Sequence, residues 1–101
     1  MFRFEWDEAN RNHILYDYPE RNNTVEEVES TFDDPFLIIA LDRIVAGEER
    51  YTAVGIGTNN IVRVVVFVFQ NDFIRPISSW AAKKKIQKFY HEQRRKKEER
   101  N

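Results

Sequence analysis

The 101-residue chain has no cysteine, one methionine, three glycines and three prolines. Without cysteine there are no disulfide staples and no thiolate zinc sites, which fits a protein kept in a reducing cytoplasm. No apolar run approaches the roughly 18 residues that a membrane span requires. The start, Met1-Phe2-Arg3-Phe4-Glu5-Trp6, lacks the basic leader and apolar stretch of a signal peptide, so a soluble protein is expected. No spacing resembles a metal site, a phosphate-cradling glycine loop, or a serine or cysteine triad, so no metal or cofactor is expected. Lysine is also missing from most of the chain, because every one lies at or after Lys83.

That gap exposes a polarity hidden by the net charge of −1. Residues 1–50 hold 5 arginines and 13 acids, a balance of −8, whereas residues 51–101 hold 11 basic residues and 4 acids, a balance of +7. Such asymmetry points to a nucleic-acid or acidic partner, or to a basic helix neutralised by an acidic one. With 42% hydrophobic and 14% aromatic residues, the chain has the composition of a folded globule. Its length suits one domain.

Phe2, Phe4 and Trp6 alternate with Arg3 and Glu5, which predicts a short N-terminal strand. Asp7 offers an N-cap for a helix over residues 8–15, and Pro19 with two asparagines interrupts the chain after it. Thr24 and Glu27 carry a capping-box signature for a second helix with Val25, Val28 and Phe32 as its apolar stripe. Asp33-Asp34-Pro35 ends that helix. Strands are predicted over residues 36–41, 50–56, 61–69 and 73–77, separated by turns at 42–47, 57–60 and 70–72. The run from Ile61 to Phe69 is apolar on both faces and reads as a central strand covered on each side. Ser78 or Ser79 is the expected cap of a final helix, with Ala82, Ile86, Phe89 and Tyr90 on one face. The expected fold is α+β, with an N-terminal strand, two helices, an antiparallel sheet of about four further strands and a C-terminal helix. Residues 1–92 form a single domain on this reading, and the charged residues 93–101 form a frayed or disordered tail.

Two arginines interrupt the apolar strands. Arg63, a lone charge among valines, must find a partner or reach the rim. The planar fork of Arg75 can hold two oxygens, those of a phosphate or those of an acid such as Glu49. A two-residue loop at Asn71-Asp72 puts Arg75 on the side of Val64, Val66 and Val68, opposite Arg63, and a three-residue loop puts both on one face. Trp80 suits stacking on an unpaired base or packing into the core. Lys83, Lys84 and Lys88 offer phosphate contacts or form a solvated helix face. Tyr90 falls on the apolar stripe, while His13 and His91 lie far apart and neither makes a convincing acid or base. A rigid sheet carrying cations toward a basic helix suits a polyanion, RNA above all.

Several of these stretches, in this order and spacing, resemble the BrnT family of toxins from type II toxin–antitoxin systems. They are Phe4-Glu5-Trp6-Asp7-Glu8-Ala9, Val28 through Phe32-Asp33-Asp34-Pro35, and Glu48-Glu49-Arg50-Tyr51 with Gly55-Ile56-Gly57. The valine strand follows, then Ile74-Arg75-Pro76-Ile77-Ser78 leading to a helix that ends near Tyr90. The resemblance spans about residues 2–92. It implies a RelE-like fold and a cytoplasmic endoribonuclease that arrests translation. It further implies a cognate ribbon-helix-helix antitoxin, with DNA bound only through the toxin–antitoxin complex and no role for a membrane. Metal-free RNA cleavage needs a base near the 2′-hydroxyl, cations for the scissile phosphate and an acid at the leaving oxygen. Glu49, Arg50 and Arg75 are the candidate catalytic residues, Arg75 matching an arginine of the family. Arg63, Trp80, Lys83, Lys84 and Lys88 are the candidate RNA-binding residues.

The chain also departs from the family pattern. Tyr16-Asp17-Tyr18-Pro19 and an apparent insertion replace a common Lys-His-Gly turn, Trp80 replaces a usual arginine, and Ile86 replaces a usual acid. These changes keep a second expectation open, a catalytically silent relative that acts as an interaction module. Direct DNA binding by the chain is disfavoured, because no recognition helix or minor-groove arm is evident.

Overall fold

Two tight turns organise the sheet in the computed structural model, which describes residues 2–100. Ala46 and Gly47, with φ of 51° and 80°, join β1 (Ile38–Val45) to β2 (Glu48–Ile56). Asn71 and Asp72, with φ of 52° and 68°, join β3 (Val62–Gln70) to β4 (Phe73–Ala81). Consecutive left-handed residues of this kind make the two-residue turn whose twist matches that of antiparallel strands. A longer loop joins β2 to β3, closed by the Asn60 amide donating to the Gly57 carbonyl at 3.1 Å. The result is a four-stranded antiparallel meander in the order β1-β2-β3-β4.

The central strand β3 is buried continuously from Val62 to Val68, as its two-sided apolar run predicts. On one face of the sheet lie α1 (Glu8–Tyr16) and α2 (Val25–Thr31), which bring Ile14, Val28 and Phe32 against Ala53, Val65, Phe67 and Ile74. On the other lies α3 (Lys84–Arg100), whose Tyr90 packs with Val54, Val62, Val64 and Ala82. Each large apolar side chain removed from water contributes about 1.5–3 kcal/mol. The α2–β2 approach is close enough that a Cβ on Gly55 would lie 2.8 Å from the Thr31 carbonyl oxygen. Among the described residues no helix is long and apolar enough to cross a membrane.

The architecture is the expected α+β, with local corrections. Among the described residues no N-terminal strand forms: Phe4 makes a single parallel bridge to Ile74, fixed by two backbone hydrogen bonds of 2.8 Å. Asp7 then opens α1 and ends the extended run, through a reciprocal capping box with Asn10. At α2 only half the predicted box exists. Thr24 accepts from the Glu27 amide at 3.0 Å, but the Glu27 side chain turns inward to other partners. β1 does not stop before a loop at residue 42; it passes a bulge at Asp42 and continues to Val45. β4 likewise runs through Ser78, Ser79 and Trp80, so neither serine caps the last helix, and the Ser79 hydroxyl donates to the Val64 carbonyl at 3.0 Å. α3 continues to Arg100 through the charged segment, along which Arg94 pairs with Glu98 at 2.9 Å and Arg95 with Glu99 at 3.8 Å.

Candidate nucleic-acid interface

The pleat of the sheet sorts the predicted residues. Directly opposed residues of antiparallel strands share a face, and successive residues of one strand alternate. The two-residue turn at Asn71-Asp72 sets Val68 opposite Arg75, so Arg75 lies on the α3 side while Arg63, between Val62 and Val64, lies on the α1/α2 side. The two arginines therefore do not pair. Arg63 is buried, and its Nη1 donates to the Asn23 amide oxygen at 2.5 Å while Nε lies 3.7 Å from Glu27 Oε1. Burial pulls the Arg63 pKa below its ordinary value, against the opposing charge of Glu27. Its first role is structural: it ties α2 and the Asn23 segment to β3.

Arg50 and Arg75 do share a face. Arg43 pairs with Arg50 across β1–β2, and extending the β2–β3 register one residue past Tyr51–Phe67 aligns Arg50 with Val68, the partner of Arg75. Three arginines thus stand in one row across the α3-side face, with Arg50 and Arg75 two strands apart, about 10 Å by strand spacing. Each has acidic company. Arg75 binds Asp7 in a two-pronged contact of 2.8 and 3.2 Å and lies 3.6 Å from Glu5. That hydrogen-bonded contact raises the Arg75 pKa and lowers that of Asp7. Arg43 meets Asp42 at 3.4 Å, and Arg50 reaches Glu48 only at 3.9 Å. The Arg50 Nε is buried and has no hydrogen-bond partner among the described residues.

Glu49 is not with them. It alternates onto the opposite face, where it accepts the Tyr51 hydroxyl at 2.6 Å and raises the Tyr51 pKa through that hydrogen bond. The carboxylate on the face of Arg50 is Glu48, two residues before it and opposite Val45. The sequence singled out Glu49 and not Glu48, although strand alternation counted back from Arg50 places Glu48 on the face of that arginine. Arg43 was missed because residues 42–47 read as a turn, and the Asp42 bulge is what brings Arg43 onto the face of Arg50.

Two grooves meet at Trp80. One, of about 470 Å³, runs over the open half of the α3-side face, floored by Thr52, Val54, Val64 and Val66 and walled by Arg43 and Ile86. The other, of about 490 Å³, lies toward the short 3-10 turn Pro19–Arg21 and gathers Arg21, Arg63, Asn59 and Lys83. Trp80 lines both and is half-buried, packed against the Val54–Tyr90 core. Three of the predicted RNA-binding residues, Arg63, Trp80 and Lys83, are therefore brought together. Lys84 and Lys88 are not, since at about 100° per residue they lie nearly opposite Ile86 and Tyr90, on the outer face of α3.

Tyr90 is core, as its place on the apolar stripe predicts. Its hydroxyl donates to Asp34, whose carboxylate also accepts the Ile56 and Phe36 amides at 2.7 and 2.8 Å. Burial, reinforced by Asp34, pushes the Tyr90 pKa up to about 12. His13 pairs with Asp17 on α1 at 2.9 Å, and His91 lies beside Tyr90 on α3, so neither imidazole reaches the Trp80 grooves. Among the described residues no group of three or more His, Asp or Glu side chains is gathered as a metal ion would require.

The chain is thus an α+β protein in which two cation-bearing grooves share an aromatic ridge. Comparison with known families narrows this. The family described as ribonuclease toxin, BrnT, of type II toxin–antitoxin system matches residues 6–85, and the chain belongs to that family. No significant match to a curated protein was found.

Proposed function

We propose that the chain is a metal-independent, RelE-like endoribonuclease that binds single-stranded RNA across Trp80 and cleaves it on the Arg50 side. The observation that supports this most is the position of Trp80 between two grooves, one lined by Arg43, the cross-strand partner of Arg50, and the other by Arg21 and Lys83. In this account Arg50 holds the scissile phosphate through the exposed part of its guanidinium, not through the buried Nε, and Arg43 and Arg75 add positive potential along the same row. Glu48, on that face, accepts the proton of the 2′-hydroxyl as its oxygen attacks phosphorus. The products are a cyclic phosphate and a released 5′-hydroxyl, whose leaving oxygen takes its proton from water or a neighbouring acid. The toxin acts in the cytoplasm, and a ribbon-helix-helix antitoxin silences it and supplies the DNA contacts of the complex.

A second reading, the catalytically silent interaction module, draws on Arg75. Both its terminal nitrogens are spent on Asp7, so the family-matched arginine is engaged within the fold. Purified chain incubated with RNA separates the two. Arg50→Ala and Glu48→Gln should each lower cleavage by about 100-fold or more while unfolding midpoints stay unchanged. Glu49→Gln should cost far less. Wild-type protein that cleaves no RNA yet binds its antitoxin supports the module.

A further inference from the structure

Building on the RNA-binding function proposed above, we infer that the groove beside the 3-10 turn is a subsite for one unpaired nucleotide, its base stacked on Trp80 and its phosphate held by Arg21 and Lys83. The groove's volume of about 490 Å³ lies within the ~300–1,000 Å³ of small-molecule sites. The two cations assigned to the phosphate differ in how they are held. Lys83 has no ion-pair partner among the described residues and sits where β4 gives way to α3. Arg21 is held in place: its guanidinium carbon lies 3.9 Å from the centroid of Tyr18 and 5.6 Å from that of Trp80. Only Nη1 is spent, on the Ser78 hydroxyl at 3.3 Å and the Ser79 carbonyl at 3.4 Å. The remaining guanidinium donors make no hydrogen bond among the described residues.

The platform is rigid from below. Asn23, buried next to Arg21, donates to the carbonyls of Ile14 and Ser79 at 3.0 and 2.9 Å and accepts from Arg63, so the turn cannot slide along β4 without breaking these contacts. Stacking on an indole tolerates any base, and cations placed beside it hold the attached phosphate, which is the pairing that single-strand sites use. The Asn59 amide at the rim supplies a donor and an acceptor for a base edge. Arg21 lies within the segment where the chain departs from the BrnT pattern, so the subsite is a property of this chain rather than of the family fold.

The test uses the full chain with nucleoside 5′-monophosphates, ribose 5-phosphate and inorganic phosphate, followed by two-dimensional NMR of the tryptophan indoles. Trp6 is an internal reference, because its indole nitrogen donates to Glu29 at 2.9 Å away from the groove. Monophosphates should shift Trp80 and not Trp6, and should bind about tenfold or more tightly than ribose 5-phosphate. Trp80→Leu should remove that preference, Arg21→Ala should weaken all three ligands, and Arg21→Lys should restore part of the loss in protein with wild-type melting behaviour. Equal binding of ribose 5-phosphate and nucleotides, or shifts that leave Trp80 untouched, would overturn the inference. If RNA is cleaved in an Arg50-dependent way while nucleotides ignore Trp80, the subsite fails and the ribonuclease reading survives. Selective nucleotide binding without any RNA cleavage reverses that outcome.

Discussion

Replacing Arg63 with methionine keeps most of the side-chain volume and removes the cation from a nearly dry site. Arg63 and Glu27 are 3% and 1% exposed, with Nε and Oε1 separated by 3.7 Å. The substitution strands the Glu27 carboxylate and frees the Asn23 amide oxygen that accepts from Arg63. Breaking one side of a buried pair costs about 3–5 kcal/mol. Here the other Glu27 oxygen keeps two hydrogen bonds, from the Asn59 amide at 2.8 Å and the Thr58 hydroxyl at 3.1 Å. The expected loss is therefore at the low end of that range, about 3 kcal/mol. Set against a total of about 5–15 kcal/mol for a domain of this size, it should move the urea midpoint by about 1–3 M. Adding Glu27→Gln removes the stranded charge, so the double variant should regain about 1–2 kcal/mol over Arg63→Met alone. Urea unfolding followed by circular dichroism reads both. A single-variant loss below about 1 kcal/mol, or a double variant that is worse by a simple sum, would refute the pairing energetics.

The remaining expectations concern acid, base and salt. The Arg75 contact holds Asp7 below its ordinary 3.8, so the stability it adds is complete above that value and lost as pH falls through the lowered one. Acid unfolding of Asp7→Asn should lack this component below about pH 4, and identical acid profiles for the two proteins would count against the contact. Tyr90 behaves in the opposite sense: raised to about 12, it stabilises below the ordinary 10.0 and loses that contribution as pH climbs through the raised value. Tyr90→Phe should remove the last-ionising phenol from an ultraviolet titration and cost about 1–2 kcal/mol at neutral pH through the lost bond to Asp34. Removing Arg43 and Arg50 together should flatten the salt dependence of single-stranded RNA binding by about 0.7 in log–log slope per cation. An unchanged slope would place the RNA elsewhere.

The valine strand, the hairpin signals and the two-sided burial of β3 were legible because each rests on local pattern: period, β-branching and turn chemistry. The placement of Arg63 and Arg75 was legible only as a choice, since it hinged on whether a loop held two residues or three. Other features depended on contacts that no local pattern announces. Alternation alone puts Arg43 with Leu41, and the Asp42 bulge reverses it. Ser78-Ser79 read as a helix cap, but pairing with Val66 and Val65 kept both in β4. Phe2-Phe4-Trp6 had strand alternation, yet only Phe4 found a bridging neighbour before Asp7 captured the chain for α1. Arg21 sat in a segment legible only as a break, and its place beside Trp80 is set by Tyr18, Asn23 and β4.

The most direct measurement is cleavage of single-stranded RNA by purified chain in excess chelator, comparing wild type with a folded Arg50→Ala variant. Cleavage that persists without divalent metal and falls by about 100-fold in the variant is the result this account predicts. RNA left intact by wild type, or cut equally well by both proteins, would contradict it.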